Sequence, residues 1–98
     1  MFTMISYDSV DDRRRTTVMK LLKGYGTRVQ YSVFECELEP RQFAQLGCEL
    51  TALIDQTTDS VRCYRLDTKA VDQIQILGIG QVTIVPTHYF IGGKRGQR

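Results

Sequence analysis

The residues best suited to chemistry lie near the amino terminus, around Asp8. This carboxylate follows an apolar run, residues 2–7, at the point where a predicted core strand opens into a loop. One helical turn further on stand three arginines: Arg13, Arg14 and Arg15. Carboxylate oxygens bind Mg²⁺, and guanidinium groups bind phosphate oxygens in a bidentate manner. The pattern indicates a site for a metal ion and a phosphate, with the alternative that Asp8 only caps the strand and Asp11 caps a helix.

Length and composition limit the class of protein. The chain has 98 residues, which predicts one domain with one core, only modestly stable alone. No apolar stretch approaches the roughly 20 residues that span a bilayer, and the first residues do not resemble a secretory signal. We therefore expect a cytoplasmic protein with no membrane contact.

Cysteine and histidine usage argues against a zinc site. The three cysteines form no CxxC pair, and the only histidine is His88. Each cysteine falls in an apolar-patterned segment, which predicts three buried free thiols in a reducing compartment: Cys36, Cys48 and Cys63.

The distribution of charge is more informative than the net charge of +2. Residues 13–28 contain six basic side chains and no acidic one, whereas residues 35–59 contain six acidic side chains and one base, Arg41. This asymmetry predicts a positive and a negative side of the molecule. The alternative is a pair of ordinary solvated helix faces.

The hydrophobic pattern predicts alternating strands and helices. The predicted elements are a strand over residues 2–8, a helix over 12–23 that ends at Gly24, two short strands within 27–38, a helix from Pro40 to Ile54, and a strand over 60–66. Two strands are needed within 27–38 because the apolar residues change from odd to even positions near Ser32. A single straight strand would not change faces, so the pattern indicates a bend or tight hairpin at Tyr31-Ser32. Gly26 is expected to permit a turn, and Gly47 to allow close packing.

This order, β-α-β-β-α-β, predicts an α+β fold of the ferredoxin-like type, with a four-stranded antiparallel sheet and both helices on one face. A short extended piece is expected over residues 74–79, and an additional edge strand near Pro86. The uncovered sheet face predicts a homodimer. We expect one domain over residues 1–91 and a basic, disordered tail over 92–98.

The spacing of several motifs resembles the CRISPR-associated protein 2 family. Tyr7-Asp8 closes the first strand, Asp11-Asp12 and Arg15 follow, and the run from Arg28 to Glu35 comes at a characteristic distance. The resemblance is densest over residues 5–38 and extends to about residue 91. It implies a ferredoxin-like homodimer in which the C-terminal strand of each copy joins the partner's sheet.

The resemblance also implies roles for single residues. Asp8 matches the metal-binding and catalytic aspartate of the family, so that two copies would face each other across the two-fold axis with Mg²⁺ or Mn²⁺. Arg15 and Arg28 match basic positions of the family. Together with Arg13 and Arg14, which belong to the basic run over residues 13–28, they are expected to bind nucleic acid. Structural or interface roles are expected for three residues: Tyr7, Ser32 and Phe34. The chain departs from the family at Thr17, where a base is common, and at Val85, where an acidic residue is common.

Three functions follow as hypotheses. The first is a metal-dependent endonuclease on single-stranded RNA or double-stranded DNA, in which the metal activates a water. The second is a non-catalytic scaffold that binds duplex DNA and bridges integrase dimers during CRISPR spacer acquisition in a prokaryotic cytoplasm. The third, independent of the resemblance, is a ferredoxin-like regulatory module that binds a metabolite at a dimer interface.

Overall fold

The computed structural model describes residues 1–82, which form four strands and three helices. The elements are β1 (Phe2–Asp8), α1 (Asp12–Lys23), β2 (Gly26–Gln30), β3 (Val33–Glu37), α2 (Pro40–Leu53), β4 (Ser60–Leu66) and α3 (Thr68–Asp72). The strand order is β2-β3-β1-β4, and all neighbours are antiparallel. The predicted α+β, ferredoxin-like order is therefore confirmed. The additional C-terminal strand and the tail lie outside the described residues, so their exchange in a homodimer stays a prediction.

Helix α1 begins where the sequence indicates. Asp11 is its N-cap and accepts a hydrogen bond from the backbone N of Arg14 at 2.8 Å. Gly24 ends the helix with φ −74°, so its freedom to adopt a left-handed conformation is not used. The predicted turn at Gly26 is wrong, because Gly26 is already in β2 and pairs with Cys36 of β3.

The hairpin of β2 and β3 confirms the predicted change of parity. Tyr31 and Ser32 form the turn, and the register shifts between Arg28 and Gln30. Phe34 and Cys36 of β3 are buried in the core, whereas Val29 of β2 is 38% exposed and lies outside it, so only the apolar side chains of β3 face the core.

Both long helices pack on one face of the sheet, here called the helix face. Its core combines sheet residues such as Ile5 and Phe34 with Val18 and Leu22 of α1 and with Leu46 and Leu50 of α2. The opposite face of the sheet is here called the open face. Its residues are assigned from the alternation of side chains along β1 and β4. Its residues in these strands are Phe2, Met4, Ser6, Asp8, Ser60, Arg62, Tyr64 and Leu66.

Several expectations about packing are wrong. Cys36 is buried, but Cys48 and Cys63 are exposed, because Cys48 lies two residues from both Leu46 and Leu50, away from the buried side of α2, and Cys63 is on β4, an edge strand among the described residues. A Cβ added at Gly47 would meet no atom within 4 Å, so close packing does not explain this glycine.

The C-terminal part of the described chain also differs from expectation. Residues 74–79 form no strand, and the sequence pattern does not indicate α3, whose five residues are too few for a helical period. No helix within residues 1–82 is long and apolar enough to cross a bilayer.

Candidate metal and nucleic-acid site

Asp8 is the last residue of β1 and pairs in register with Ser60, the first residue of β4. Its side chain is exposed, and by alternation along β1 it belongs to the open face. Within residues 1–82 no hydrogen bond or ion pair engages its carboxylate. Both carboxylate oxygens are therefore available to a cation.

A second aspartate, Asp59, lies next to this strand end but has a different environment. Its side chain has no exposed surface. It accepts hydrogen bonds from Ser9 Oγ at 2.7 Å, from Arg14 Nε at 2.9 Å and Nη2 at 3.3 Å, and from Tyr7 Oη at 3.3 Å. We call Asp59 with Tyr7, Ser9 and Arg14 the Asp59 cluster.

The ionisation of the Asp59 cluster follows from these contacts. The guanidinium of Arg14, which hydrogen-bonds the carboxylate, holds the pKa of Asp59 well below its usual range. The same hydrogen bond raises the pKa of Arg14. Burial is the main cause that raises the pKa of Tyr7. The cluster is consequently an ion pair at neutral pH, with the tyrosine as a neutral donor.

The four arginines expected to bind nucleic acid are not equivalent in the structure. Arg14 is held by Asp59. Arg15 pairs with Asp12 and donates from Nη2 to the backbone oxygen of Ser9 at 2.7 Å. Both side chains stabilise the loop between β1 and α1, and neither extends freely into solvent.

Arg13 and Arg28 have other environments. Arg13 is exposed, and its guanidinium has no hydrogen-bond or ion-pair partner in the described part of the chain. Arg28 donates from Nε to the backbone oxygen of Tyr31 at 3.0 Å, and its guanidinium carbon lies 4.9 Å from the centroid of the Tyr31 ring. Tyr31 is 68% exposed, so its ring lies on the surface of the protomer beside this guanidinium. The roles of all four arginines in nucleic-acid binding stay predictions.

Tyr7, Ser32 and Phe34 meet between the sheet and α1. Tyr7 and Phe34 are buried, and the backbone N of Tyr7 donates to the backbone oxygen of Ser32 at 3.0 Å. All three line a small cavity together with Arg15, Met19, Leu22 and Tyr31. They stabilise the protomer around the end of β1, whereas a role in an interface between protomers stays a prediction.

The donor set limits how a divalent metal could bind. Among residues 1–82 there is no group of three or more histidine, cysteine, aspartate or glutamate side chains that could hold a metal ion. The carboxylate of Asp8 is the hard oxygen donor that Mg²⁺ and Mn²⁺ prefer, but one protomer offers it alone. The residues fit such an ion if two Asp8 side chains approach each other.

The exposed side of α1 is basic. Its first-turn acid, Asp12, is already paired with Arg15. Three exposed basic side chains on this helix have no ion-pair partner among the described residues: Arg13, Lys20 and Lys23. This surface could contact a phosphate backbone without reading its sequence.

Comparison with known proteins shows the family. The family model of CRISPR associated protein Cas2 matches residues 1–74. A protein of Chloroflexus aurantiacus named CRISPR-associated endoribonuclease Cas2 3 is 59% identical over 91 residues, which are 93% of this chain and 98% of that protein.

Solved structures agree with the sequence comparison. The crystal structure of Streptococcus pyogenes Cas2 is 37% identical, with a TM-score of 0.71, over 80% of this chain and 100% of that one. A chain in a partial Cas6-RT-Cas1–Cas2 complex is 28% identical, with a TM-score of 0.68, over 78% of this chain and 89% of that one. This chain therefore belongs to the Cas2 family of CRISPR adaptation proteins.

Proposed function

We propose that this protein is a homodimeric endonuclease of CRISPR adaptation that hydrolyses phosphodiester bonds of nucleic acid with a divalent metal ion. The observation that carries the proposal is the exposed carboxylate of Asp8, which no other described side chain engages. The name of the Chloroflexus relative, an endoribonuclease, supports RNA as a substrate. We propose single-stranded RNA as the first substrate to test and double-stranded DNA as the second.

The open face of the sheet supports the proposed homodimer. Met4 and Leu66 are half-buried there, and Tyr64 is 42% exposed. A second copy related by a two-fold axis would cover these side chains by an isologous contact. Because Asp8 belongs to the same face, such a contact could bring two Asp8 side chains together.

Two aspartates at a two-fold axis suit hydrolysis with a metal. The cation would be held by both carboxylates, offset the charge of the phosphate and lower the pKa of a bound water. In the reaction the water oxygen forms a bond to phosphorus, the bond from phosphorus to one bridging oxygen breaks, and the leaving oxygen takes up a proton. The two carboxylates would repel each other without the cation, so metal binding and dimer geometry are coupled.

The test compares Asp8→Asn with the wild-type dimer on labelled single-stranded RNA and duplex DNA, with Mg²⁺ or with a chelator. We expect Asp8→Asn in Mg²⁺ to cleave no faster than the wild type in chelator. Asp67→Asn is the matched control, because Asp67 is an exposed N-cap at α3 and asparagine caps a helix equally well. Cleavage by Asp8→Asn at the wild-type rate would contradict the proposal.

A second function is favoured by the basic exposed side of α1. In this alternative the dimer binds duplex DNA through Arg13, Lys20 and Lys23 and bridges integrase subunits without catalysis. A Cas2 chain in a Cas1–Cas2 complex supports Cas1 as the partner. The two functions are distinguished by the wild-type protein: the scaffold binds duplex DNA and Cas1 but shows no metal-dependent cleavage.

A further inference from the structure

The Asp59 cluster lies directly beside the end of β1. Asp8 and Ser60 form the last register pair between β1 and β4. Ser9 follows Asp8 and Asp59 precedes Ser60, and these two residues are joined by the hydrogen bond from Ser9 Oγ to Asp59 Oδ1 at 2.7 Å. The side-chain contact thus continues the strand pairing by one residue beyond Asp8.

Other contacts fix the same carboxylate to the rest of the fold. Arg14 of α1 binds both carboxylate oxygens, at 2.9 Å and 3.3 Å. The backbone N of Asp55 donates to Asp59 Oδ2 at 3.0 Å, so the start of the loop between α2 and β4 is also bound to this carboxylate. One fully covered carboxylate therefore joins β1, α1 and both of the loops next to the strand end.

We propose that Asp59 is a positioning residue for Asp8, which sets the direction of the Asp8 carboxylate so that two copies can hold a divalent cation. The inference depends on the proposed function, because it assumes that Asp8 binds the metal. Asp8 has no side-chain contact of its own within residues 1–82, so its position depends on its backbone. That backbone is held on its C-terminal side through Ser9 and Asp59.

The cluster adjoins the apolar core at Tyr7, which belongs to it. Ser9, Arg14 and Asp59 are joined to one another by hydrogen bonds between polar atoms. Replacing the carboxylate by an amide places an NH₂ group or a neutral oxygen against the guanidinium of Arg14 and removes the charge-assisted hydrogen bonds. We expect this change to loosen the loop after Asp8 and leave the packed helices in place.

The first measurement is binding of Mn²⁺ alone to the intact protein, followed by electron paramagnetic resonance. Asp59→Asn should weaken Mn²⁺ binding roughly 10- to 100-fold, the usual effect of losing a group that orients a metal ligand. Asp55→Asn is the matched control, because it makes the same substitution in the same loop. Within residues 1–82 the Asp55 carboxylate hydrogen-bonds Thr57 and neither Arg14 nor Asp59. The Mn²⁺ affinity of this control should equal that of the wild type.

The second measurement separates positioning from folding. Asp59→Asn should lower kcat for RNA cleavage with little change in KM, and raised Mg²⁺ should partly restore the rate. Ser9→Ala removes the hydrogen bond to Asp59 and the one that Ser9 Oγ accepts from the backbone N of Asp11, and it keeps the ion pair of Asp59 with Arg14. It should change both readouts in the same direction by less. If Asp59→Asn fails to fold, the Ser9→Ala variant tests the positioning role instead.

The outcomes distinguish this inference from the proposed function. If Asp8→Asn abolishes Mn²⁺ binding while Asp59→Asn and Ser9→Ala bind it as tightly as the wild type, the positioning role is wrong and the metal site stands. If the wild type and Asp8→Asn bind Mn²⁺ equally, the proposed function fails, and the positioning role fails with it.

Discussion

At the scale of single residues, two aspartates at one strand end have opposite environments. Asp8 is exposed and available, and the sequence indicates it as a candidate metal ligand because it follows an apolar strand and precedes three arginines. Asp59 falls in a polar segment that indicates only the end of a helix. Its contacts with Ser9 and Arg14 join residues 50 and 45 positions apart. No local spacing encodes such a contact. The sequence therefore predicts Asp8 as a candidate metal ligand, but it predicts neither the buried side chain of Asp59 nor its ion pair with Arg14.

The depressed pKa of Asp59 predicts a dependence of stability on pH. The folded-state pKa lies below the ordinary value of 3.8, because Arg14 hydrogen-bonds the charged form. The unfolded state therefore takes up a proton first as the pH falls. The contribution of Asp59 to the free energy of unfolding is fully present above the unfolded pKa and is lost as the pH falls through that value toward the folded pKa.

This dependence can be measured by urea unfolding at fixed protein concentration. Between about pH 5 and pH 3 the wild type should lose stability more steeply than Asp59→Asn, which has no charge to titrate at this position. The stability difference between the two proteins should be constant near neutral pH. Parallel curves over the acidic range would mean that the ion pair of Asp59 and Arg14 contributes nothing to folding.

At the scale of elements, the pattern of the sequence predicts four strands and two helices because each is long enough to show a period or a parity. The turn at Tyr31-Ser32 follows from the switch of parity in residues 27–38. The requirement for glycine at position 26 does not follow from the sequence pattern, because it depends on the close approach of the neighbouring strand β3. A Cβ at Gly26 would lie 2.4 Å from the backbone oxygen of Glu35 and 2.5 Å from Cys36 Sγ.

Alanine substitutions at two glycines should therefore have opposite effects on stability. Gly26→Ala should destabilise the protein by about 1–3 kcal/mol, because β2 must move away from β3. Gly47→Ala should stabilise it by up to about 1 kcal/mol, because an exposed helix position gains helix propensity without a clash. Urea unfolding of both variants measures the difference. Equal stability of Gly26→Ala and the wild type would show that the hairpin has no close approach at this position.

At the scale of the whole molecule, the candidate metal ligand and the free basic surface belong to different sides. Asp8 lies on the open face, whereas α1 packs on the helix face and exposes Arg13, Lys20 and Lys23. In a dimer joined through the open faces, the basic surfaces would lie outside and the two Asp8 side chains near the axis. The proposed binding of nucleic acid and the proposed metal-dependent cleavage should therefore be separable by substitution, and substitutions on α1 should act on affinity.

Reversal of charge on α1 tests this separation. Arg13→Glu with Lys20→Glu should weaken duplex binding and reduce the salt dependence, because each lost phosphate contact lowers the slope of log K against log salt by about 0.9. Arg41→Glu with Lys69→Glu is the matched control, since both are exposed bases outside α1. Gel shifts over a salt series measure the slopes. If the α1 variant keeps the wild-type affinity and slope, nucleic acid binds elsewhere, and the scaffold function loses the surface that supports it.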